Sequence, residues 1–433
     1  MSHSDKRDRR ARPALGWRSA YRDRQHDSAH AENGDAGPEL EHPLSARGAA
    51  QLITQEDQAL ELIDHLRASG SFAYDSEFIG ELTYYPRLCL IQVATTQRVA
   101  LIDPMADVDL LPFWELVCDA SVEKVVHAGA QDLEPAVRLL NKRPANVIDT
   151  QIAAGFVRLA YPVSLSKLVA ELIGAKLGKS LTFSRWDHRP LSAIQLRYAA
   201  DDVRYLPAVR AELGRRLDEL GHAAWASEEC AAECDPAQFG FDPDSQYLRV
   251  RGAGSLGGSQ LAVLRELTIW RDQAARQTDV PPRTMLRDEA LIHLARSPGK
   301  SIEQLERARL PKNVQAEHGE AIVATMARAL ATPASTQPAK SIEPSPSERF
   351  RADALFSTIC TLAAAAGIDP ALVVSRHEVG ELSRRIGASQ SIEDLRLMKG
   401  WRAQAVGKRL VQLLSHEGRV SLSWADQMLR MTT

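Results

Sequence analysis

The sequence predicts a mixed α/β domain, a sheet flanked by helices, followed by two all-α modules. Three observations predict this architecture. Between about 50 and 220, short apolar runs rich in β-branched residues alternate with segments of helical periodicity. From 259 to 330, and again from 349 to 433, the periodicity is helical alone. The intervening ATPASTQPAKSIEPSPSE (331–348) carries four prolines and six Ser or Thr, which is linker composition.

Residues 1–45 are polar and lack an apolar period, with eight Lys or Arg and four Asp in the first 28 positions, so a disordered basic tail is expected there. The α/β domain then occupies 46–220. Its strands are expected at SFAYDSEF (71–78), RLCLIQVAT (87–95), RVALIDP (98–104), KVVHAG (124–129) and NVIDT (146–150). The second and third are close enough to form a hairpin. Helical patterns fall near 54–68, 110–119, 131–141, 150–158, 164–173 and 192–219. Hairpin strands first, then strands alternating with helices, imply a mixed sheet covered by helices. A connector follows at 221–258, closed by the Gly-rich RGAGSLGG. In the first helical module (259–332), Leu261, Leu264, Leu267 and Trp270 recur at helical spacing until Pro281-Pro282 breaks the pattern. The linker proper is 333–348, and the second helical module, 349–433, is punctuated by Pro370 and Gly400.

Composition excludes several classes. The chain has 433 residues, 44% hydrophobic and 25% charged, and no run approaches the roughly 18 apolar residues of a membrane span. The charged N-terminus, MSHSDKRDRRARPALGWRS, has no apolar region after it as a secretory signal would. A cytoplasmic protein is expected. Five scattered cysteines do not make a disulfide framework, and the Cys230/Cys234 pair lacks a second pair at zinc-like spacing. The net charge of −3 does not mark a nucleic-acid binder, yet 176–210 concentrates Lys176, Lys179, Arg185, Arg189, Arg197, Arg204 and Arg210 against three aspartates. A local basic surface of this kind can meet phosphates.

Three acidic sites carry the chemistry. In FAYDSEF (72–78), Asp75 and Glu77 lie two apart on a strand and so point the same way. Like charges held together raise each other's pKa unless a cation lies between them, and hard carboxylate oxygens suit Mg²⁺ or Mn²⁺. Taken alone, the pair is also what a solvent-facing edge strand would show. HAGAQDLEP (127–135) places Asp132 at the start of a helix, where acids are common. RYAADDVRYL (197–206) places Tyr198 one helical turn from Asp202, with Asp201 near the same face; spacing does not choose between the two aspartates.

The ordered set D-x-E, then D, then Y-x-x-x-D resembles the DEDD superfamily of 3′→5′ exonucleases, in the branch with tyrosine in its third motif. FAYDSEF with RLCLIQVAT, VVHAGAQDLE, and the W…RPL…QL-x-YAA-x-DV-x-YL series over 186–206 narrows the resemblance to the ribonuclease D family, across about 50–215. QLAVLRELTIWRDQAARQTDVPPRTMLRDEALIHLA (260–295) is similar to an HRDC module, and 349–433 looks like the divergent second module of that family. The family's spacing selects Asp202. No G-x-x-x-x-G-K-[ST] occurs, so nothing resembles a helicase motor.

The resemblance implies an exoribonuclease that releases nucleoside 5′-monophosphates with two divalent metal ions, trimming 3′ ends of tRNA precursors and other small structured RNAs. Asp75 would bridge the metals, Glu77 and Asp202 would complete one site, Asp132 would serve the other, and Tyr198 would orient the attacking water. Phe78, His127, Arg185, Arg189 and Arg204 are candidate substrate contacts. The helical modules would grip RNA, and a monomer is expected. The same motifs also suit a Werner-type DNA exonuclease, and a non-catalytic RNA-binding scaffold is the reading from another class.

Overall fold

The computed structural model describes residues 40–178, 184–305, 310–331, 344–415, 421–425 and 428–432. Six strands form one mixed sheet in the order β1-β4-β3-β2-β5-β6. They are β1 (Gln51–Gln55), β2 (Ser71–Ile79), β3 (Arg87–Ala94), β4 (Val99–Asp107), β5 (Glu123–Val126) and β6 (Val147–Asp149). β2, β3 and β4 run antiparallel in sequence; β1 pairs parallel to β4, and β5 and β6 continue parallel from β2. The five expected strands are all present, as a mixed sheet. β1 was not expected: QLITQ runs straight into α1 (Glu56–Ser69), and its pairing with β4 is supplied by a segment about fifty residues away.

Helices cover both faces of this sheet. Side chains alternate along β2, so Phe72 and Tyr74 belong to one face and Ala73, Asp75 and Glu77 to the other. On the first face, Phe72 and Tyr74 pack with Leu62 of α1, Phe113 and Trp114 of α2 (Leu111–Cys118), and Leu133 and Ala136 of α3 (Ala130–Leu140). The helices α4 (Thr150–Gly155) and α5 (Leu165–Ile173) follow β6. On the second face, Ala73, Ala94 and Val125 pack against Ala200 and Val203 of α6 (Ala193–Arg204). The helical pattern expected over 192–219 is two helices, because the chain breaks at Tyr205 before α7 (Leu206–Leu220).

The chain packs onto the sheet domain from Leu40, earlier than the expected boundary at 46. The Leu40 amide donates to the Tyr205 hydroxyl at 3.0 Å, and Arg204 donates to the Ala46 carbonyl at 2.7 Å. The rest of the expected tail, 1–39, lies outside the described residues, as does most of the linker.

The first helical module has its own core. Leu261, Leu264 and Leu267 of α9 (Gly258–Gln277) pack with Leu291 and Leu294 of α10 (Asp288–Arg296) and with Ile322 and Met326 of α11 (Lys312–Ala331). Tyr247, Val250 and Leu256 of the connector belong to that core too. The module docks on the loop between β2 and β3: the Tyr84 hydroxyl donates to Asp272 at 2.7 Å and accepts from Arg276 at 3.0 Å, while the Tyr84 amide donates to Asp279 at 3.1 Å. Burial and the Asp272 hydrogen bond push the Tyr84 phenol up to about 12.

The second module is not a separate body. Ile359 and Leu362 of α12 (Pro346–Ala365), Leu382 of α13 (Arg376–Gly387), Trp401 and Val406 share one core with Phe156, Leu168, Val209 and Leu213 of the sheet domain. Phe156 meets Trp401 edge-on at 4.7 Å between ring centres. The connector joins this core through α8 (Ala223–Glu233), whose Glu229 accepts from Trp401 Nε1 at 2.7 Å and from Arg402 at 2.5 and 2.6 Å. Expected to be helical throughout, the segment instead ends in a hairpin of β7 (Ser421–Ala425) and β8 (Met428–Thr432), and SLSWA does alternate polar and apolar residues.

Candidate active site

Asp75 and Glu77 face α6. Both are half-buried, and in the antiparallel register they stand opposite Gln92 and Leu90 of β3. The register slips between Glu77 and Phe78, with Cys89 the extra residue of β3. Such a bulge ends the regular pleat immediately after the acids and re-aims the rest of the strand, beginning with Phe78.

Asp132 reaches the same end of the sheet by a different route. β5 pairs parallel with β2 as far as Ala73 and Val125, then ends at Val126 while β2 continues to the acids. The chain turns through His127–Gly129, so α3 begins beside Asp75 and Glu77, and Asp132 occupies its first turn. Asp132 is 6% exposed. The Tyr74 hydroxyl donates to its carbonyl at 3.4 Å. Burial raises the Tyr74 phenol well above its ordinary value, and the charges of Asp132 and Asp75 both add to the rise.

The turn that sets Asp132 is held by Asp149 at the end of β6. Its buried carboxylate accepts from the amides of Ala128 and Gly129, each at 3.0 Å, and from Gln151 at 2.8 Å as the cap of α4. Ala128 has φ 55°, a left-handed conformation costly for a residue with a side chain. Gly129 has no room for one: an added Cβ would lie 2.5 Å from Val126.

Tyr198 and Asp202 project from α6, whose N-terminus is fixed by a capping box between Ser192 and Gln195. The Tyr198 ring lies 6.1 Å from Trp186 and packs on the cluster containing Leu90, the partner of Glu77. Asp201 pairs with Arg204 at 3.2 Å and Arg197 at 3.7 Å, bracing α6.

The expected substrate contacts divide. Arg185 is exposed and pairs with Asp187 at 3.2 Å. Arg189, expected at phosphate, instead donates to both Asp103 oxygens (2.5 and 2.6 Å) and to the Cys89 carbonyl (2.7 Å), which ties the segment before α6 to the sheet. Arg204, 4% exposed, binds Asp201 and the Ala46 carbonyl. Guanidiniums so engaged are structural braces. His127 places Nδ1 at 2.9 Å from Thr150 Oγ1 and Nε2 at 3.1 Å from the Val163 carbonyl, which makes it part of the turn that carries Asp132. Sequence reasoning missed Asp149. Its only signal is an acid ending a strand, and the partners that matter for Asp132 come from the turn after β5, some twenty residues earlier in the chain.

The donor set fits the ions that carboxylate clusters take. Asp75, Glu77, Asp132 and Asp202 are hard oxygen donors, the chemistry that holds Mg²⁺ or Mn²⁺ rather than a thiolate metal. Among the described residues no three His, Cys, Asp or Glu side chains are already gathered as a metal cage.

Comparison with known proteins reaches the same place. A 3′–5′ exonuclease family model matches residues 50–218, and an HRDC domain model matches 260–326. The chain is 34% identical to ribonuclease D of Gluconacetobacter diazotrophicus over 379 residues, covering 86% of this chain and 94% of the relative. It is 35% identical to ribonuclease D of Pseudomonas paraeruginosa, over 80% and 93% of the two chains. The crystal structure of Escherichia coli RNase D, described as an exoribonuclease involved in structured RNA processing, superposes with a TM-score of 0.74 at 30% identity, over 86% of this chain and all of that one. No described helix is long and apolar enough to cross a membrane. With an exonuclease domain, an HRDC module and this similarity over most of its length, the chain belongs to the ribonuclease D family of 3′→5′ exoribonucleases, which are hydrolases of the phosphodiester bond.

Proposed function

We propose that the protein trims the 3′ ends of tRNA precursors and other small structured RNAs, releasing nucleoside 5′-monophosphates one at a time with two divalent metal ions. What supports this reading is the set D-x-E on β2, Asp132 in the first turn of α3, and Y-x-x-x-D on α6, carried by elements that all belong to the one sheet domain. Asp75 would hold both ions, with Glu77 and Asp202 completing the site on the nucleophile side and Asp132 serving the leaving-group side. Bound ions supply a water of lowered pKa and charge compensation at the departing 3′-oxygen. Tyr198 orients the attacking water by hydrogen bond, because an ordinary phenol, with pKa about 10, is a poor base at neutral pH. The helical modules hold the folded part of the RNA and present its 3′ tail. The protein works as a monomer in the cytoplasm.

The test is incubation of the purified protein with Mg²⁺ and a 5′-labelled tRNA bearing a 3′ extension. A ladder shortening from the 3′ end, and its loss in Asp75→Asn, is the expected result. Removing the ion-bridging carboxylate should lower the rate by several kcal/mol of barrier, roughly three orders of magnitude or more. Digestion of recessed DNA ends with the RNA left intact would refute the RNA assignment, and tight RNA binding without hydrolysis in Mg²⁺ or Mn²⁺ would refute the mechanism.

A further inference from the structure

A buried glutamine stands beside the acids with nothing to bind. Gln92 lies on β3 directly opposite Asp75 and is 0% exposed. Both of its side-chain polar atoms, Oε1 and Nε2, are buried without a hydrogen-bond partner. Opposed residues of an antiparallel pair share a face with their Cβ atoms about 5 Å apart, within reach of a glutamine amide. That face is the one α6 covers: Leu90 and Ala94, two residues to either side of Gln92, pack with Ala199 of α6 and with Ala200 and Val203 respectively. An amide has therefore been placed in an otherwise apolar layer, at the level of the acid that opens D-x-E.

Ser45, Ser76 and Trp114 each leave their single polar atom unpaired, and Arg351 one of its three nitrogens. Among these described residues Gln92 alone leaves both a donor and an acceptor group unpaired, and a buried group of that kind calls for a physical reason. Apolar side chains of the same length would pack this layer without that penalty.

We infer that Gln92 is a positioning residue for Asp75: its amide, unpaired in this structure and sealed beneath α6 at the cross-strand position, is the donor that the Asp75 carboxylate takes up when it turns to hold the cations. Gln92 touches neither RNA nor solvent and acts through the carboxylate alone. Carboxylate ligands depend on such outer hydrogen bonds for orientation. The inference rests on the cation-binding role proposed for Asp75.

The test is calorimetric titration of Mn²⁺ into the full chain without RNA, for the native protein, Gln92→Met, Gln92→Leu and Asp75→Asn. The melting temperature of each metal-free protein is measured alongside. Methionine keeps the length of glutamine without its polar atoms, and leucine provides a second apolar variant should methionine pack poorly. The expected result is a metal-free melting temperature equal to or above the native value in the Gln92 variants, with the Mn²⁺ midpoint raised about ten- to a hundredfold. Native midpoints in both Gln92 variants, with binding weakened in Asp75→Asn, overturn the role of Gln92 and leave the cation site standing. Absence of saturable Mn²⁺ binding in the native protein overturns both. A lowered melting temperature with a native midpoint assigns Gln92 to packing and also overturns the inference.

Discussion

At the scale of single residues, the site depends on groups that do no chemistry. Asp132 stands where it does because Asp149 gathers the amides of Ala128 and Gly129 in the turn before α3, while also capping α4 through the Gln151 amide. Asp149→Ala leaves these amides without their acceptor and releases the left-handed Ala128, so it should cost about 2–3 kcal/mol by urea denaturation and lower exonuclease activity as well. Tyr198 differs from the acids in its sensitivity. Tyr198→Phe keeps the ring against Trp186 and the Leu90 cluster and removes only the hydroxyl. Single-turnover cleavage should fall about a hundredfold, well short of the loss in Asp75→Asn, with RNA affinity unchanged. Equal losses in the two variants would mean that the hydroxyl does more than orient water.

At the scale of elements, α8 is the joint between the sheet domain and the second helical module. The Glu229 carboxylate takes Trp401 Nε1, both terminal nitrogens of Arg402, and Arg396 at 3.1 Å. Burial works to raise this carboxyl, and the Arg402 hydrogen bonds more than offset it, holding it below its usual range. For Arg402 burial prevails and lowers the guanidinium, which nevertheless stays charged because its ordinary value lies so far above neutrality. A carboxyl lowered by folding stabilises the native state above its unfolded value of about 4.3, and that stability is lost as pH falls through the lower native value. Glu229→Ala leaves a buried guanidinium unpaired and should cost about 3–5 kcal/mol at pH 7. The gap to the native protein should narrow when urea melts are repeated toward pH 3; a constant gap would show that the carboxylate charge is not the source of the stability. The loop after β2 is a second joint: Tyr84 ties the first helical module to the strand that carries Asp75 and Glu77.

At the scale of the whole molecule, the two helical modules relate to the sheet domain in opposite ways. The first closes its own core and meets the sheet domain at the loop after β2, whose Tyr84 packs on that core and hydrogen-bonds Asp272 and Asp279. The second contributes Ile359, Leu362, Trp401 and Val406 to a core it shares with α4, α5 and α7. A protease site inserted at Pro338 and cleaved should therefore give two fragments that elute together in size-exclusion chromatography and separate only in denaturant. Fragments that separate under native conditions would show that the shared core does not hold the modules together.

The sequence alone determined the local elements and the acidic set. Strand alternation, helical spacing and the order D-x-E, D, Y-x-x-x-D depend on residues close in the chain, where backbone geometry sets which side chains share a face. Tertiary structure decided which partners those residues meet. Arg189 and Arg204 read as phosphate ligands until Asp103 and Asp201 are found against them, and Gln92 is one letter in RLCLIQVAT until the register sets it opposite Asp75. The same holds for β1, whose parallel partner β4 is distant in sequence, and for the second module, whose apolar stripe gives no sign of the surface it covers. Periodicity records that a side chain is buried; only the fold supplies its partner.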